Sequence, residues 1–104
     1  MGYIYIIRNS VNKLVYIGQT TWTCKKRWSA HTKCARMLIN HRSGKKLLKD
    51  EYKFVLSSAL YTAMADIGIE FFTCDMVIEV PDEDLNETEK YYVEIHNVYF
   101  AKWL

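Results

Sequence analysis

Apolar and polar positions alternate in two different rhythms along the chain. "YIYIIR" at residues 3–8 and "LVYIGQ" at residues 14–19 are short runs rich in Ile, Val and Tyr, the residue types that suit a pleated, half-buried surface. "NSVNK" between them (residues 9–13) supplies the Asn and Ser that favour turns, so the pattern predicts a β-hairpin. Gly18 lies near the end of the second run, where a side chain is unwelcome if another backbone or a ligand approaches. Thr21 or Thr23 can cap a following helix. From Cys24 to about His41 no Pro or Gly intervenes, and Trp28, Ala35 and Leu38 recur at helical spacing.

"HRSGK" (residues 41–45) interrupts that rhythm. A second helix is predicted over residues 46–66, with Leu48, Tyr52, Val55, Leu56, Ala59, Leu60, Ala63 and Met64 as its apolar stripe and Gly68 ending it as a C′ glycine. "IEFFTCDMVIEV" (residues 69–80) predicts a third, longer strand. "PDEDLNETEKYYVEIHN" (residues 81–97) opens with proline and acids, both favourable in a first helical turn. The apolar tail "VYFAKWL" is expected to pack back on the body. The resulting order, ββααβα, predicts an α+β fold with a small, mainly antiparallel three-stranded sheet flanked by helices. At 104 residues this is one domain, 1–104, with one modest core and no repeat or linker.

Charge changes the picture. Residues 1–53 carry 12 Lys/Arg against Asp50 and Glu51, a balance of +10, whereas residues 54–104 carry Lys90 and Lys102 against ten acids, a balance of −8. A basic half suits a polyanionic partner, since each phosphate contact releases counterions. It can equally neutralise the acidic half of its own fold. No apolar run approaches the roughly 20 residues of a membrane span, and no charged leader with an apolar core precedes the first strand. Three widely spaced cysteines without a C-x-x-C pair argue against a disulfide framework or zinc knuckle. A reduced, intracellular chain is expected.

Five side chains can form a phosphodiester-cleaving set. Arg27 and His31, four apart on the first helix, share a face. Glu89 lies in the last helix, and Tyr5 and Tyr16 in the hairpin. A carboxylate can hold a divalent metal, an arginine can clamp phosphate oxygens, and a phenol or imidazole can orient or deprotonate water. Each has an ordinary reading as well. Arg27 and His31 fit a helix surface, Glu89 fits a capping box with Asn86, and the two tyrosines fit cross-strand packing.

"YIY" (residues 3–5), "YIG" (residues 16–18), "KRWSAH" (residues 26–31) and "ETEKYYVEIHN" (residues 87–97) together resemble the GIY-YIG nuclease domain, over nearly the whole chain. The resemblance implies a metal-dependent DNA endonuclease that leaves 5′-phosphate and 3′-hydroxyl ends. Tyr5 and Tyr16 then lie near the water nucleophile, Arg27 on the scissile phosphate, and His31 beside a tyrosine or the nucleophile. Glu89 binds one metal, Mg²⁺ with Mn²⁺ able to substitute, and Gly18 closes the second motif. The alternative is a catalytically silent nucleic-acid-binding module on the same fold.

Two positions depart from the family. Tyr3 replaces the first glycine of its name, and no asparagine stands some fifteen residues beyond Glu89, where Leu104 ends the chain; Asn97 is the nearest substitute. An ordinary tyrosine has a pKa near 10, so Tyr5 and His31 both remain candidates for the general base. The expected partner is duplex or branched DNA and no membrane, as monomer or dimer. Lys26, Arg42, Lys45, Lys46 and Lys49 are candidate backbone contacts. The cysteines and Trp22, Trp28 and Trp103 read as packing residues.

Overall fold

Strand β1 (Gly2–Asn9) is the middle of the sheet, and this explains its almost unbroken apolar sequence. It pairs antiparallel with β2 (Val15–Thr20) on one side and with β3 (Phe72–Val80) on the other, giving the order β2-β1-β3. The chain is seen in a computed structural model that describes residues 1–12 and 15–96. With both faces of β1 covered, alternate side chains enter two different cores, not the single core expected from the chain's length. Ile4, Ile6 and Ile17 pack with Leu85. Tyr5, Ile7 and Tyr16 pack on the other face with Ala35, Leu38, Leu60, Tyr61 and Met64.

Three helices supply the layers around the sheet. Helix α1 (Cys24–Arg42) starts where the Thr23 side chain accepts a hydrogen bond from the Lys26 backbone N–H, one of the two capping threonines the sequence offered. Its buried residues, His31, Thr32, Ala35 and Leu38, recur at three- and four-residue spacing and face the Tyr5 side of the sheet. Helix α2 (Ala59–Ile67) packs against α1, and α3 (Leu85–His96) lies against β2 and β1. The predicted α+β architecture and ββααβα order are both present.

The element bounds differ from expectation at three places. Residues 46–66 do not form one helix. Residues 50–57 are a 3₁₀ stretch, and Ser58 takes an extended conformation whose hydroxyl caps Tyr61, so the α-helix begins only at Ala59. One consequence is that Leu56, assigned to the buried stripe, is exposed while Val55 is buried. Strand β3 begins at Phe72, because Gly68, with φ of 120°, leads into a one-turn 3₁₀ segment over Ile69–Phe71. Acidic residues Asp82–Asp84 likewise form a 3₁₀ turn before α3 starts at Leu85. Leu14, Asn97 and the tail with Trp103 lie outside the described residues.

Register gives Gly18 its role. Tyr5 faces Gly18 across the β1–β2 ladder, while Tyr16 faces Ile7. A Cβ on Gly18 would overlap the Tyr5 ring and hydroxyl. The phenol therefore lies over bare backbone. Gly18→Ala is expected to cost about 1–3 kcal/mol in urea unfolding, as overpacking generally does, and much less in a Tyr5→Ala background. Equal costs in the two backgrounds would show that the tyrosine is not what requires the glycine.

Candidate active site

Tyr5 and His31 meet beneath α1, two turns into the helix. The Tyr5 hydroxyl lies 2.8 Å from His31 Nε2, and His31 Nδ1 lies 2.8 Å from the hydroxyl of Tyr61 on α2. All three side chains are buried, and the imidazole is fully enclosed. Both phenol rings are tilted by about 50° against the imidazole, with centroids 5.7 and 5.6 Å away. These edge contacts hold the ring in place as well as hydrogen-bonding it. A helix-surface histidine is thereby excluded. Helix α1 carries His31 and Arg27 one turn apart, with Arg27 half-buried and hydrogen-bonded to Tyr5.

Burial dominates the titration of this group. It pushes the Tyr5 phenol up to about 12; a hydrogen bond and the positive charge from Arg27 oppose that, while Cys74 and Glu89 add to it. His31 is pulled down to about 3, first by burial and then by the Arg27 charge. Tyr61 is pushed up by burial and by its contact with Cys34. Burial also raises Tyr16. At neutral pH the chain Tyr5–His31–Tyr61 is therefore uncharged. A neutral imidazole carries one N–H, so one phenol donates to the ring and the other accepts from it. The sign of the linkage follows. A buried neutral His contributes stability fully above its unfolded pKa near 6.5, and this is lost as pH falls from there toward 3.

Glu89 enters from the opposite layer. Only 6% exposed, it lies one turn inside α3, and its charge reaches the Tyr5 phenol. It does not belong to a capping box, since the Asn86 Oδ1 that would cap the helix accepts instead from Gln19 Nε2 at 2.8 Å. Arg27, His31, Tyr5 and Glu89 thus converge. Tyr16, also buried, shares Tyr5's sheet face but is offset diagonally from it rather than directly opposite. Among the described residues no three His, Cys, Asp or Glu side chains gather into a ready-made metal cage. Among the described residues, the buried carboxylate at this site is Glu89. That fits Mg²⁺, which keeps several of its waters and takes one or two carboxylates.

Of the basic candidates, Lys46 and Lys49 line a cavity of about 450 Å³ together with Lys33 and Arg36 of α1 and with Tyr52. Lys26 lies beside Trp22 and Lys25 at the start of α1, Lys45 is exposed, and Arg42 is ion-paired to Asp66. Sequence reasoning missed Lys33, Arg36 and Tyr61. Tyr61 was legible in part: it sits between Leu60 and Met64 in the buried stripe of its helix, where its hydroxyl needs a partner.

A scan against protein families matches residues 1–98 to the GIY-YIG catalytic domain. Searches of curated protein sequences and of solved structures found no significant match. The match covers almost the whole chain, including the Tyr5–Gly18 pairing, the α1 face that carries Arg27 and His31, and Glu89 on α3. This chain belongs to the GIY-YIG catalytic-domain family, whose fold is of the nuclease type and whose substrate is DNA.

Proposed function

We propose that the protein is a metal-dependent endonuclease that hydrolyses a DNA phosphodiester, leaving 5′-phosphate and 3′-hydroxyl ends. The observation that carries this reading is the 2.8 Å contact between the Tyr5 hydroxyl and an uncharged His31, beside Arg27 and Glu89, in a chain of this family. Neutral His31 has room for one proton, and Tyr5 is the group that can bring it. In this mechanism an attacking water gives a proton to the Tyr5 oxygen as the phenol passes its own to His31 Nε2. A bare Tyr5 phenolate is never required, which suits a phenol pushed up to about 12.

Substrate binding helps this transfer. Arg27 is one reason His31 is so weak a base in the free protein. A phosphate seated against the Arg27 guanidinium offsets that charge and makes the imidazole a better acceptor when the substrate is present. Arg27 also holds the scissile phosphate and stabilises charge developing on its oxygens. Tyr61, at the far side of the imidazole, fixes the ring's orientation. Tyr16 lines the same sheet face and shapes the space beside Tyr5. Glu89 is the residue that would hold Mg²⁺, or Mn²⁺ in its place; when bound, the cation supplies Lewis-acid polarisation of the phosphate. The cations around the α1 cavity, Lys33, Arg36, Lys46 and Lys49, support a path for the flanking DNA backbone.

Nicking of supercoiled plasmid with Mg²⁺ tests the proposal. Glu89→Gln, close in shape but uncharged, should lower nicking by about 100-fold or more, on the several kcal/mol that a bound metal supplies, and EDTA should abolish it in the intact protein. Equal nicking by Glu89→Gln would remove Glu89 from the site. Binding without cutting in either metal, on plasmid and branched DNA alike, would leave a silent binding module. A second measurement addresses the backbone path. Lys33→Ala with Arg36→Ala should reduce the slope of log K against log salt by about 2, roughly one per lost phosphate contact. An unchanged slope would take the cavity out of the DNA interface.

A further inference from the structure

We propose that Cys24 and Cys74 form a redox modification site, a thiol pair that closes to a disulfide on meeting a disulfide-exchange oxidant of the glutathione disulfide class. Their sulfurs lie 3.3 Å apart, although the residues are 50 positions apart in sequence. Cys24 is the first residue of α1, and Cys74 lies on β3, opposite Ile7 of β1. Both are reduced and half-buried. A disulfide has an S–S length of about 2.05 Å, so closure needs the sulfurs to approach by only about 1.3 Å. The third cysteine, Cys34, contacts Tyr61.

The chemistry balances as two exchanges. Cys24 as thiolate attacks glutathione disulfide, forming a Cys24–glutathione mixed disulfide and releasing one glutathione. Cys74 as thiolate then attacks the Cys24 sulfur, forming the Cys24–Cys74 bond and releasing the second glutathione. Two protein thiols are oxidised and one glutathione disulfide is reduced to two thiols; the two thiol protons pass to the departing glutathione thiolates. Burial and the Cys24 contact push the Cys74 thiol up, which makes Cys74 the resolving partner rather than the first to react.

Closure would tie the first turn of α1, the helix that carries Arg27 and His31, to the strand next to Tyr5's own. It would also enclose α1, the 3₁₀ stretch and α2 in one covalent loop. Loops of this length restrict the unfolded chain strongly. The consequence is a clamp on the layer that bears the site, and it is independent of whether the protein cuts DNA.

The test is to equilibrate the full chain with excess glutathione disulfide at pH 8, then count free thiols, map peptides by mass and record thermal unfolding. The expected result is a fall from three titratable thiols to one, a mass lower by two hydrogens, a Cys24–Cys74 peptide, and a melting temperature higher by about 10 °C or more. Dithiothreitol should reverse all of these. Cys34→Ala should still form the bridge, whereas Cys24→Ser and Cys74→Ser should not. Persistence of three thiols, a stable glutathione adduct on Cys24, or a bridge that includes Cys34 would overturn the assignment. A bridged protein that melts no higher than the reduced one would overturn the clamp. The wild-type measurements decide the matter even if a serine variant fails to fold.

Discussion

The hydrogen bond between the Tyr5 hydroxyl and His31 Nε2 ties the β1–β2 hairpin to the helix that follows it. Tyr5 belongs to the central strand, His31 to the helix that follows the hairpin, and the space that lets the phenol lie flat comes from a missing side chain on the neighbouring strand. A polar contact enclosed this completely is strong when satisfied and costly when broken. Tyr61 completes the satisfaction from the far side of the ring. The consequence is an uncharged, hydrogen-bonded centre with the cation of Arg27 beside Tyr5 and Glu89 arriving from α3.

The uneven charge of the chain acquires a spatial meaning in this arrangement. Basic residues of the first half line the outer side of α1 and the segment after it, around a shared cavity. Eight of the ten acidic residues of the second half lie on β3, on the turn before α3 and on α3 itself, and Asp66 and Glu70 lie at the end of α2 and just after it. Ion pairs such as Arg8–Asp75 and Arg42–Asp66 join the halves at exposed points, where each contributes little. Among the described residues, the ion pairs do not include the cavity cations Lys33, Arg36, Lys46 and Lys49. The face they form is suited to a polyanion.

Much of the fold was legible in the chain because its signals are local. The Ile- and Tyr-rich runs, the Asn-rich turn, the Thr23 cap and the uninterrupted helix after it each work within a few residues. Where the reading of the second helix failed, a competing local signal decided. Ser58 used its hydroxyl to cap a new helix and split a stripe that seemed continuous, leaving Val55 inside and Leu56 outside. The candidate site was legible as a set of residue types on the correct elements, but its connections were not. Sequence spacing cannot reveal that Tyr5 lies against Gly18 rather than Tyr16, that Tyr61 closes the far side of the imidazole, or that Cys24 and Cys74 touch across 50 residues. These are long-range packing facts.

The measurement that tests the central claim most directly is the ¹⁵N NMR titration of the His31 imidazole in the free protein, assigned by comparison with His31→Gln, from pH 8 down to pH 4. An imidazole enclosed between two phenols and beside Arg27, with its pKa lowered to about 3, should keep one protonated and one bare ring nitrogen over the whole range. Its two nitrogen signals should stay far apart, unmoved down to about pH 5 and shifted only slightly at pH 4. A ring whose signals converge through a midpoint near the ordinary value of about 6.5 would be a hydrated, protonatable histidine, and the neutral Tyr5–His31–Tyr61 centre would be contradicted.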